Sequence, residues 1–96
     1  CTMLTRYFTD TKTNKKNMED LIEGLLQTLE DEFREYEFFI DDIDYWTGSF
    51  ILEAPIELEV AVERTVISAL SYYGGRIKDS YVESDKTVIF EIKYTP

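Results

Sequence analysis

Arg76-Ile77-Lys78-Asp79-Ser80-Tyr81-Val82, then Glu83-Ser84-Asp85-Lys86, then Thr87-Val88-Ile89-Phe90-Glu91-Ile92-Lys93-Tyr94-Thr95: the reading of this stretch decides the fold. In its last part Val88, Phe90, Ile92 and Tyr94 alternate with Thr87, Ile89, Glu91 and Lys93, the period-two pattern of a strand with one buried face. The four polar residues before Thr87 read as a turn, so residues 76–82 and 87–95 form a hairpin. Just upstream, Gly74-Gly75 closes a helix, where the chain commonly needs a positive φ. Leu58, Ala61, Val62, Thr65, Val66, Ala69, Leu70 and Tyr73 recur at helical spacing before it, and Pro55 is well placed to start that helix.

Further upstream, Phe50–Ala54 reads as a strand joined through a two-residue Gly48-Ser49 hairpin loop to another strand. That earlier strand lies within Tyr36–Trp46, with a bulge near Asp41–Asp42 where the alternation slips. Met18, Leu21, Ile22, Leu25, Leu26, Leu29 and Phe33 form a second helical stripe over Met18–Glu35. Asn17 sits as its N-cap, with Asp20 three residues on. Asp10–Lys16 reads as a polar, basic loop, and Met3–Thr9 as a first strand. The order β-α-β-β-α-β-β predicts one α+β domain over residues 1–96. It matches a ferredoxin-like split βαβ antiparallel sheet with both helices on one face, the other face open, and an extra C-terminal edge strand.

At 96 residues, 44% hydrophobic and 31% charged, the chain has the ordinary globular mixture, and its aromatic residues supply much of one modest core. A single cysteine forms no internal disulfide, and no apolar run of membrane length or charged-then-apolar leader is visible, which sets a cytoplasmic expectation. The charge is unusual: ten bases, twenty acids and no histidine give a net charge of −10. Nucleic acid and anionic membranes, which are bound by neutralising phosphates, are therefore not expected as direct partners.

Residues 19–63 hold fifteen of the acids and, among bases, only Arg34, for a local net of −14. On the first predicted helix Glu19, Glu23 and Glu30 form one row, with Asp20 and Asp31 further round, and Arg34, four residues after Glu30, is the one base against seven acids. Seven acids along a helix of about 27 Å approach the charge density of a nucleic-acid strand, one charge per roughly 3.4 Å. Asp41, Asp42 and Asp44 continue the acidic run into the hairpin, where Tyr45 and Trp46 are of the types that anchor interfaces.

Other chemistries fit less well. Asp41-Asp42-Ile43-Asp44 lacks the loop glycine and distal glutamate of an EF-hand, so no metal is expected, and the acids read as a strand edge that resists sheet pairing. No glycine-rich phosphate cradle or strained-turn serine appears, which predicts no catalysis and no cofactor. Thr47–Leu52 lacks the basic lead and spaced aromatics of an RNA-recognition strand. Ile56, Val60 and Ile67 lie opposite the main stripe of the second helix as a small apolar patch.

The expectation is a small, non-enzymatic acidic binding or inhibitor domain. Glu19, Asp20, Glu23, Glu30, Asp31, Asp41, Asp42, Asp44, Tyr45 and Trp46 would dock on a basic, nucleic-acid-handling protein. A nucleic-acid mimic of the anti-CRISPR or anti-restriction type, or a toxin-immunity protein, fits that description. The competing expectation is a homo-oligomeric regulatory or scaffold domain, a homodimer for instance, that associates through its open sheet face, the acids serving only solubility.

Overall fold

The computed structural model describes residues 11–95, and the strand expected over Met3–Thr9 lies outside them. Helix α1 spans Thr11–Glu32, strand β1 Phe39–Asp44 and strand β2 Ser49–Pro55. A 3-10 turn, Ile56–Leu58, leads into helix α2, Glu59–Tyr73, followed by β3, Arg76–Val82, and β4, Thr87–Lys93. The strands form one antiparallel sheet in the order β1-β2-β4-β3. The fold is α+β, with two packed helices over one side of a four-stranded sheet.

Helix α1 starts earlier and stops sooner than its apolar stripe suggests. The segment expected as a loop is helical from Thr11 onward, so Asn17 is an exposed residue within the helix and not its N-cap. Nothing in Thr11–Lys16 breaks a helix, since neither proline nor glycine occurs there. The Lys15 ammonium also lies 5.2 Å from the centre of the Tyr45 ring, a cation–π contact tying this turn to the β1–β2 hairpin. Glu19 and Asp20 therefore sit two turns inside the helix, each four residues after a lysine, and the first turn carries no acid. The uninterrupted acidic helix of the sequence reading is in fact basic at its start and acidic further along. After Glu32 the chain turns, and Phe33 packs against Phe38 with ring centres 6.0 Å apart.

Met18, Leu21, Leu25 and Leu29 of α1 and Val62, Val66 and Leu70 of α2 close over the inward residues of the two middle strands. Those are Phe50, Leu52 and Ala54 on β2 and Val88, Phe90 and Ile92 on β4. Phe38 and Tyr94 complete the core at the sheet ends.

The strand order corrects the ferredoxin-like expectation. In that plan the slot between the strands flanking the second helix belongs to the strand that precedes the first helix. Here β4 fills the slot, paired with β2 from Ser49 to Pro55 and with β3 from Arg76 to Val82. Among the described strands the one expected at the C-terminal edge is central, and β3 is at the edge. Composition explains the exchange. In β4, Ile89 on the open face is buried as well as Val88, Phe90 and Ile92 on the other, whereas six of the seven residues of β3 are exposed. A strand apolar on both sides loses more by sitting at a rim than one carrying Arg76, Lys78 and Asp79. Both edge strands are irregular, β1 between Asp41 and Asp44 and β3 between Ile77 and Asp79, which blunts further strand addition. Among the described residues no helix is long and apolar enough to cross a membrane.

Candidate functional site

Successive strand residues point to opposite faces, so the register assigns each side chain to the helix-covered or the open side. Across the open side Phe39, Glu53, Ile89 and Tyr81 form one row and Asp41, Ile51, Glu91 and Asp79 the next. A third row, Asp44, Ser49, Lys93 and Arg76, brings two bases to one end of the face. Asp79 and Glu91 stand directly opposite each other, a like-charge pair that weakens a sheet by a few tenths of a kcal/mol. Phe39 is 54% and Tyr81 45% exposed, so apolar surface lies among the carboxylates.

Two groups register how concentrated this charge is. Partial burial raises the Glu53 carboxyl above its ordinary value of 4.5, helped by a hydrogen bond with Asp41 and by the charges of Glu83, Asp41 and Asp42. The Tyr81 phenol is raised by partial desolvation, then by Glu91, Glu83, Asp79 and Asp42. Asp42 reaches both groups from a bulge in which its φ is 52°. Among the described residues no Asp or Glu is paired with a Lys or Arg, so this charge is not neutralised locally.

The ten residues singled out from sequence do not share one face. Asp41 and Asp42 belong to the open side of the sheet. Glu19, Glu23 and Glu30 are exposed on α1, in the helical layer beyond the core. Asp20 is likewise exposed on α1, and Asp31 lines the groove between α1 and α2. Gly24 borders the same groove and makes room for the Tyr73 hydroxyl, which would lie 2.6 Å from a Cβ there.

Asp44 has a folding role: its Oδ1 accepts hydrogen bonds from the Trp46 and Thr47 amides at 2.9 and 3.3 Å. The loop is therefore Tyr45–Gly48, four residues and not two, because Asp44 pairs with Ser49. Gly48, at φ 79°, donates its N–H to the Asp44 carbonyl at 2.8 Å and ends the turn. Tyr45 is half-buried against the core, whereas Trp46 is 72% exposed at the hairpin tip.

The sequence reading passed over Asp79, Tyr81, Glu83 and Glu91, which lie outside the acidic run. The alternation of Glu91 with Ile92 marks its face, but nothing local tells that this face lies beside Asp41 and Glu53. Among the described residues no group of three Asp, Glu, His or Cys side chains could hold a metal ion. Comparisons with protein-family models, with curated proteins and with solved structures find no match for this chain.

The carboxylate cluster has a stability signature. Because the folded Glu53 pKa is raised, the folded chain keeps a proton that the unfolded chain gives up from about the ordinary value of 4.5 upward. Stability is therefore lost as pH rises from 4.5 through the raised value. Glu53→Gln removes this proton exchange and relieves the neighbouring charges. It is expected to stabilise the protein at neutral pH by a few tenths of a kcal/mol and to flatten the decline above pH 4.5. Urea denaturation of both proteins across that range measures the difference; identical slopes would remove Glu53 from the cluster.

Proposed function

We propose that the chain is a non-enzymatic acidic binding domain whose open sheet face docks on a basic, nucleic-acid-handling protein and occupies the groove that would hold nucleic acid. Inhibition would be steric and electrostatic, as for an anti-defence protein of the anti-CRISPR or anti-restriction type or a toxin-immunity protein. The observation that carries the reading is the convergence of Asp41, Asp42, Glu53, Asp79, Glu83 and Glu91 on one face, unpaired with any base among the described residues. Phe39 and Tyr81 give that face apolar area to desolvate, and the bases Arg76 and Lys93 at one end give a partner an orientation. Glu19, Glu23 and Glu30 lie in the other layer; their part is to steer encounter at long range. Stacking two copies through the sheet face would oppose carboxylate to carboxylate, so the charge favours a basic partner over a second copy there.

The test uses immobilised protein and a lysate rich in nucleic-acid-binding proteins. Basic proteins should be retained, released by rising salt, and displaced by duplex DNA added as a competitor. Reversing Asp41, Glu53 and Glu91 to Lys should weaken retention roughly tenfold or more. Reversing Glu19, Glu23 and Glu30 should mainly slow association. Retention that ignores salt, DNA and the sheet-face reversal would exclude the reading.

A further inference from the structure

The outer side of α2 carries a strip unlike the rest of the surface. Val60 is 66% and Ile67 52% exposed, although both are large and apolar, and Ile56, half-buried, precedes them. Between them lie half-buried Glu63 and exposed Arg64, and Ser71 follows one turn after Ile67. Positions 60, 64, 67 and 71 are spaced by four, three and four, the seam along which helices pack side by side. Beside the strip, a groove of about 550 Å³ between α2 and β3 adds Leu70 and Ile77, with Arg76 and Asp79 of the edge strand also lining it.

We infer that this strip is an interface between two copies of the chain, formed by antiparallel packing of α2 on α2 about a two-fold axis passing between Glu63 and Arg64. The strip is self-complementary, as a two-fold interface requires. Antiparallel packing about that axis sets Val60 against Ile67 of the second copy and Glu63 against Arg64 of the second copy, with both contacts repeated by symmetry. Ile56 meets Ser71 of the second copy. Val60 and Ile67 thus meet as apolar residues and each acid meets a base, while the Ile56–Ser71 contact at either end joins an apolar residue to a polar one.

The strip is also locally neutral in a chain of net charge −10, so two copies can approach here without opposing carboxylates. It lies in the helical layer, beyond the core from the acidic sheet face, so a dimer would expose both sheet faces outward.

Salt distinguishes this contact from docking on a basic partner. Two chains of charge −10 repel at long range while their strips attract at short range, so salt should strengthen the dimer, whereas salt weakens docking on a basic protein. Sedimentation equilibrium of the whole chain from low to high micromolar concentration, at low and moderate salt, provides the test. A monomer–dimer equilibrium tightening with salt is expected. Ile67→Asp should weaken it about tenfold or more, as a charge introduced at an interface centre does.

Glu63→Arg and Arg64→Glu should each weaken association by placing like charges together, and the double exchange should restore it, because the crossed pairs are regenerated with reversed sign. Circular dichroism of each variant checks that the fold is kept. A chain monomeric throughout the range, a dimer indifferent to Ile67→Asp, or a double exchange no tighter than the single variants would overturn the inference. None of these results bears on the sheet face, whose test is the salt-sensitive capture of basic proteins.

Discussion

Phe90→Ala is expected to cost about 3–5 kcal/mol, much of the roughly 5–14 kcal/mol of stability usual for a chain of 96 residues. Phe90 is fully buried and stands between Leu52 of β2 and Ser80 of β3. Truncation removes the contacts of an aromatic ring in the middle of the sheet and leaves a cavity roofed by two helices, which relax only in part. The informative comparison is Val82→Ala on β3. Val82 is 55% exposed, and its truncation should change stability by no more than about 0.5 kcal/mol. Urea denaturation with a shared slope gives both numbers. Comparable losses for the two variants would mean that β4 is not the central strand.

Gly75→Ala is expected to cost about 2 kcal/mol, from backbone strain combined with a steric clash. The φ of Gly75 is 142°, where side chains are rarely tolerated, and a Cβ would lie 2.8 Å from the Lys93 carbonyl oxygen and 2.9 Å from Leu70 Cδ2. The carbonyl belongs to the central strand and cannot move aside without loosening the β3–β4 ladder, where Arg76 pairs with Lys93. Leu70 is a core residue of α2. Thermal unfolding of the variant measures the loss; a melting temperature equal to the parent's would show that the α2–β3 joint yields more readily than its contacts imply.

Most secondary structure could be read along the chain because it is encoded locally. The stripe Val62, Val66 and Leu70 placed α2, the alternation from Val88 to Ile92 placed β4, and Pro55 with Gly74-Gly75 bounded the helix between them. The bulge at Asp41–Asp42 showed as a slip in alternation. The start of α1 could not be read in this way, because Thr11–Lys16 has no apolar periodicity and is held by its continuity with the stripe behind it and by the Lys15–Tyr45 contact. The length of the hairpin loop was set by the Asp44 carboxylate capping two amides, a choice its sequence shares with several turn types.

The acidic sheet face was legible only in half. An acidic middle with few bases is a property of the sequence, and so is the abundance of aromatic residues around it. Which carboxylates stand together is not: Asp79, Glu83 and Glu91 came from a part of the chain with a net positive balance, whereas Glu19, Glu23 and Glu30 came from its most negative stretch and ended in the other layer.

The local pattern of the sequence carried the existence of both helices and of the four described strands, since it rests on periods of two and 3.6 residues that neighbours in the chain set. Tertiary structure alone decided that β4 lies inside the sheet and that six carboxylates meet across four strands. The physical reason is that strand order follows from which strand gains most by burying both its faces. That comparison is made between segments remote in the chain, and no local pattern records it.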